Sequence, residues 1–303
     1  MTPTAIVLLL ISAASHATWN LLSKRRSSTA SFFLLANLFG ALFLTPVLWV
    51  RWEIPLTMPT SVWFLLAVTG FFQALYYISL ARAYCSGDMS IAYPIARSLP
   101  VILVLIVTLL IGQASQVSLL CFAGVILIVA GCFVLPMKHY RQFKIKNYWN
   151  PTCLWALSAA VGTTGYSMVD DRALRILKAS LEQSEGTQSL PVIVYALFEA
   201  ISSSFWLSLF VLVPKQTRKP TLQVFRTLKG QTALTGLCIY ATYVLVLISM
   251  GYVKNVSYVV AFRQLSIPLG AIMGIVLLRE DRPLPKIVGV LTMFAGLILV
   301  GFS

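Results

Sequence analysis

A chain of 303 residues that is 58% hydrophobic and only 11% charged does not suit a soluble fold. Soluble domains carry roughly 25% charged residues and expose apolar patches of at most a few hundred Å². The net charge of +14 points to membrane orientation and away from nucleic acid, because the basic residues fall in short clusters between apolar runs.

A spanning helix needs about 20 apolar residues. Ten runs approach that length, at 3–22, 30–50, 61–84, 91–111, 116–136, 151–172, 191–213, 231–253, 258–278 and 284–302. They predict an all-α membrane protein of ten transmembrane helices. The separating turn and charge signals are Lys24-Arg25-Arg26, Glu53 to Pro59, Gly87-Asp88, Gly112 to Ser115 and Lys138 to Asn150. Beyond them come Glu182 to Ser189, Lys215 to Lys229, Lys254-Asn255 and Arg279 to Pro285. No basic stretch precedes the first run, so it reads as a retained helix and not as a cleaved signal. The loops and helix ends after the odd-numbered spans carry 16 Lys or Arg, against 5 after the even-numbered ones. The positive-inside rule then puts the first set in the cytoplasm and both termini outside.

The two halves of the chain resemble each other. Ser12-Ala13-Ala14 and Thr18 match Ser158-Ala159-Ala160 and Thr164. Arg97-Ser98-Leu99 lines up with Arg263-Gln264-Leu265, and Ala130-Gly131 with Ala295-Gly296. Five helices per half is an odd number, so the second half is expected upside down relative to the first. The expected organisation is two inverted repeats, 1–137 and 151–303, joined by a cytoplasmic linker at 138–150. Inverted repeats are typical of secondary transporters, with the substrate held between the halves near the midplane.

The segment His16-Ala17-Thr18-Trp19-Asn20 resembles the opening helix of EamA-type members of the drug/metabolite transporter superfamily. So does Ala92-Tyr93-Pro94-Ile95-Ala96-Arg97, followed by Pro100, in the fourth span. The stretch from Val259 to Leu278, closing on Arg279-Glu280, is similar to that family's ninth helix. The resemblance implies that spans 1, 3, 4, 6, 8 and 9 surround a central cavity. Spans 2 and 7 would move with them, and spans 5 and 10 would form a scaffold. Related small multidrug exporters carry a cation-binding carboxylate in the first helix, and this first span has none.

Arg97 stands about six residues into its span, which at 1.5 Å per residue is ~9 Å below the surface of a ~30 Å core. Arg263 is expected at similar depth. A guanidinium there costs at least about 2.5–3.5 kcal/mol unless it meets a cavity or a partner. Its fork matches carboxylate or phosphate oxygens; the competing reading is snorkelling, or capping of carbonyls freed by Pro94, Pro100 and Pro268. Tyr93 and Gln264, beside the arginines, join the candidate binding set.

His16, Trp19 and Asn20 share a helix face and, with Tyr166, form a polar and aromatic set that either lines a cavity or anchors at the interface. Glu199 is a carboxylate inside an apolar run, with Asn37 at the matching place in the second span. A carboxyl group out of water can exchange a proton, as proton-coupled transport needs, or serve as an arginine's fixed partner. Asp170-Asp171-Arg172 reads as a solvated helix end. Gly270-x-x-x-Gly274 permits close helix contact, within the chain or in a dimer. Cys85, Cys121, Cys132, Cys153 and Cys238 show no C-x-x-C spacing and read as packing residues.

The expected function is a secondary transporter of the inner membrane, exporting a small metabolite such as an amino acid by alternating access. Its expected partners are the small-molecule substrate and the lipid bilayer, with no nucleic acid, as a monomer or homodimer. No nucleotide motif occurs, and no cofactor or metal is expected. A cationic drug exporter is the alternative within the class. A membrane-embedded enzyme is disfavoured, since the two histidines form no H-E-x-x-H and no G-x-S-x-G occurs.

Overall fold

The computed structural model describes residues 2–23, 29–86, 89–134, 137, 151–181, 189–277 and 283–302. The chain runs through α1 (Pro3–Ser23), α2 (Ala30–Leu44), the single turns α3 (Val47–Val50) and α4 (Ile54–Thr57), α5 (Thr60–Ser86), α6 (Met89–Leu110) and α7 (Leu119–Val134). The second half holds α8 (Pro151–Leu181), α9 (Ser189–Leu212), α10 (Lys215–Met250), α11 (Val256–Phe262), α12 (Ser266–Leu277) and α13 (Leu284–Gly301). Helix lies along each of the ten apolar runs, and no strand occurs among the described residues. Among the described residues, five stretches suffice by length and composition to cross a bilayer: Ala30–Val50, Thr60–Ala83, Ser189–Leu212, Thr217–Met250 and Leu284–Gly301. Outward positions such as Trp49, Leu110, Leu119 and Phe302 are exposed and apolar, while Asn37, Thr69, Gln73, Asp170 and Glu199 are buried. That distribution suits lipid as the solvent.

Tertiary contacts override several local signals. The second run breaks after Leu44, where Thr45-Pro46 interrupts the helix and α3 follows. The sixth run does not end at Asp170-Asp171-Arg172. Asp170 is fully buried, and Asp171 pairs with Arg175 one turn on at 2.9 Å, so α8 continues to Leu181. The expected loop from Lys215 to Lys229 is the first part of α10, a helix of 36 residues or ~54 Å, longer than a ~30 Å core. That part is held by packing: Thr221 hydrogen-bonds Ser31 at 2.8 Å, and Val224 and Leu228 lie against a cluster containing Phe32, Phe33 and Leu207. The ninth run starts early because Asn255 caps α11 through the Ser257 amide. The expected loops at Lys24-Arg25-Arg26, Gly87-Asp88 and Lys138 to Asn150 lie outside the described residues, as do all but Ser189 of Glu182 to Ser189 and all but the last three residues of Arg279 to Pro285.

The strongest packing joins the two halves, and each pairing has a counterpart when the halves are exchanged. α5 packs on α8 as α10 packs on α1; α6 packs on α8 as α12 packs on α1; α5 packs on α9 as α10 packs on α2. α7 with α13 and α2 with α9 are their own counterparts. α5 and α8 are antiparallel, since Thr69 meets Asp170 and Ser79 meets Ser158. α5 and α9 run parallel, with Trp63 on Phe198 and Phe71 on Trp206. Side-chain bonds follow the exchange: Gln73 bonds Glu199 as Tyr240 bonds Asn37.

The α7–α13 contact depends on glycine. A Cβ on Gly124 would lie 2.6 Å from the Gly296 carbonyl oxygen, and one on Gly296 equally close to that of Gly124. Small residues let membrane helices approach backbone to backbone. Gly270 makes no such contact, for a Cβ there would meet nothing within 4 Å.

Candidate substrate site

Two arginines, one from each half, line a single cleft. Its walls are Tyr76 of α5, Ala96, Arg97 and Pro100 of α6, Thr163 of α8, and Val260, Arg263 and Gln264 of the second half's broken helix. The break is a 3-10 turn, Arg263–Leu265, between α11 and α12. Pro268, just inside α12, cannot donate to the Gln264 carbonyl, and Pro100 cannot donate to that of Ala96. Both Ala96 and Gln264 line the cleft.

The arginines are held differently. Arg97 bonds Nε2 of His16 from α1 and donates to Ser266 Oγ at 3.4 Å. A guanidinium only donates, so the imidazole nitrogen accepts. Arg263 sits in an aromatic cage. It donates to the Tyr166 hydroxyl at 3.5 Å, and its guanidinium lies 5.5 Å from the Tyr243 ring centre and 6.0 Å from that of Tyr166. Tyr166 stands edge-on to both Tyr76 and Tyr243. Such rings stabilise the cation through their π faces. The Nη1 atom of Arg263 and Oε1 of Gln264 have no hydrogen-bond partner among the described residues.

Behind the cage lies a buried carboxylate. Asp170 Oδ1 accepts from Thr69 Oγ1 at 2.6 Å and from the Tyr195 hydroxyl at 2.7 Å. Oδ2 accepts from the Tyr243 hydroxyl. Three helices thus each supply one donor, and Tyr243 stands between this carboxylate and Arg263. Deeper still, Gln73 Nε2 donates to Glu199 Oε1. Thr108, Ser257, Gln113 and Gln116 meet around Asn255 in a separate polar cluster that ties α6 and the turn after it to α11.

Residues 3–137 match the profile of the EamA-like transporter family. The first half of this chain is thus similar to that family. That family consists of membrane transporters, and the apolar helices of this chain suit a multi-pass membrane protein. A crystal structure described only as that of a protein superposes on 100% of this chain and 98% of its own, with a TM-score of 0.72 and 16% identity. A likeness at that identity concerns the fold alone. No curated protein matches the chain.

Of the residues expected from the sequence, Arg97, Arg263 and Gln264 line the cleft, with His16 and Tyr166 bonded to the two arginines. The side chains of Trp19, Asn20 and Tyr93 lie outside the described part of the structure. Glu199 is buried and bonded to Gln73, and Asn37 occupies the exchange-related place against Tyr240. Asp170 was not expected inside. The available signal was spacing: Gly162, Tyr166 and Asp170 are four apart on one face of α8, and Gly162 abuts the α5 backbone. Tyr76, Thr163 and Tyr243 were missed as well, since aromatic and hydroxyl residues in apolar runs carry no local mark of a site.

Proposed function

We propose that this chain moves a small metabolite bearing a carboxylate, such as an amino acid, across the inner membrane by alternating access of two inverted five-helix repeats. The observation that carries the reading is the cleft shared by Arg97 and Arg263, where Arg263 Nη1 lacks a partner among the described residues. A carboxylate would take that donor, and a guanidinium binds such oxygens in a fork. The unpartnered Gln264 Oε1 beside it would accept from an ammonium group, so a zwitterion satisfies both. A cationic drug would instead meet two guanidinium groups, and this disfavours that alternative. Export is the direction favoured by the family resemblance. The site requires the repeats to rock about the α7–α13 contact.

The test is counterflow in proteoliposomes with amino acids and organic acids in one set and cationic dyes in the other. The expected result is uptake from the first set, with KM raised about tenfold or more in Arg263→Ala, as loss of a charged hydrogen bond worth about 1.5–3 kcal/mol requires. Uptake of the dyes alone, or an unchanged KM in both Arg97→Ala and Arg263→Ala, would overturn the reading.

A further inference from the structure

The anion-binding reading gives Glu199 no task, yet its surroundings are unusual. It is fully buried. Gln73 Nε2 donates to its Oε1, while Glu199 Oε2 and Gln73 Oε1 have no partner among the described residues. An ionised carboxylate kept dry with one oxygen unbonded is expensive, and the cheaper state carries a proton on that oxygen. Alternatively, with the Gln73 amide turned, its oxygen faces Glu199 Oε1 and accepts from a proton carried on that atom.

Asp170 provides the contrast. It is equally buried, but three hydroxyl donors converge on it and Arg263 lies across the Tyr243 ring. Donors of that number suit the anion. Tyr195, which donates to Asp170, stands one turn before Glu199 on α9, so the two carboxyl groups are neighbours that resist ionising together.

We propose that Glu199 is an exchangeable proton site coupled to the arginine cleft, with Asp170 as the fixed anion. With Glu199 neutral, the two guanidinium groups outweigh the one carboxylate, and the interior attracts an anion. When Glu199 releases its proton to water, the charges cancel and the anion is held less tightly. By linkage, an anion in the cleft holds the proton on Glu199 to the same degree. Proton and anion therefore load together. This last step rests on the transport reading; the proton site itself does not.

The groups around Glu199 are known from each neighbouring element. α8 brings Asp170, and the 3-10 turn brings Arg263. α5 brings Tyr77 beside Gln73, α10 brings Tyr240 and Tyr243, and α9 itself carries Tyr195. α2 contributes Asn37, bonded to Tyr240. The residues flanking α3 and α4, Arg51 and Glu53, pair with each other at 3.3 Å.

Infrared spectroscopy of the purified full chain, titrated from acid to alkaline pH without substrate, tests the site. A protonated-carboxyl stretch is expected at neutral pH, absent in Glu199→Gln and present in Asp170→Asn. Gln73→Leu should keep the band but move its frequency, which guards against a Glu199 variant that fails to fold. Arg263→Gln removes a positive neighbour, so the band should persist to higher pH; Asp170→Asn removes a negative one, so it should vanish at lower pH. A band that survives Glu199→Gln, or is missing from the wild type at neutral pH, would overturn the proton site. A midpoint unmoved by Arg263→Gln would overturn its coupling to the cleft. If the band behaves as stated while counterflow fails for every anion, the transport reading falls and the proton site stands.

Discussion

Thr69 and Tyr195 donate to the same carboxylate oxygen of Asp170, at 2.6 and 2.7 Å, and this shared acceptor predicts a specific failure of additivity. Thr69→Val and Tyr195→Phe each delete one hydroxyl with little change of shape. A hydrogen bond to a charged group contributes about 1.5–3 kcal/mol, though polar contacts between membrane helices average nearer ~0.6 kcal/mol because the unfolded helices find other partners. Each single variant should therefore cost about 1–2 kcal/mol. Oδ1 still has one donor after either change. The double variant leaves a buried, charged oxygen with none, at a further penalty of about 1–3 kcal/mol. The two effects should accordingly sum to less than the double loss, with a coupling on that order. The assay is reversible unfolding in mixed micelles, read by circular dichroism for the four members of the cycle. Were Asp170 at a solvated helix end, all three variants would fall within about 0.5 kcal/mol of wild type. Additive losses would show that the two hydroxyls do not share an oxygen, and would refute the shared acceptor.

Gly124→Val and Gly296→Val should each destabilise by about 1–3 kcal/mol or block assembly, because a Cβ at either position lies 2.6 Å from the opposite carbonyl; thermal unfolding in detergent checks this. Gly270→Ala, with nothing within 4 Å of the new Cβ, should be neutral or gain up to about 1 kcal/mol of helix propensity in the same assay. Asn255→Ala removes bonds to Gln113 and Gln116 and the cap on Ser257. It should loosen the contact between α6 and α11 at a cost of about 1–3 kcal/mol, seen as a lower unfolding midpoint in the same assay. Thr29→Ala deletes the α2 cap on the Phe32 amide and should cost about 1 kcal/mol, by the same unfolding measurement.

The sequence by itself determined the solvent of this protein. A low charge content and long apolar runs leave lipid as the medium, and in lipid a continuous chain of this kind must be helical to satisfy its backbone. It also marked Arg97 and Arg263, because a charge inside an apolar run stands out wherever the chain folds. Asp170 shows what it could not decide. Beside Asp171, Arg172 and Arg175, an acidic residue looks like the edge of a span; only the arrival of Thr69, Tyr195 and Tyr243 from three other helices makes it interior. Lys215 to Lys229 failed in the opposite direction, since its charges signal a loop while contacts with α2 and α9 hold it as helix. Asp171 could pair with Arg175 along its own helix, a local matter legible at four-residue spacing. The cleft joins groups more than 160 residues apart in the chain, Arg97 and Arg263, and no local spacing encodes a meeting between helices.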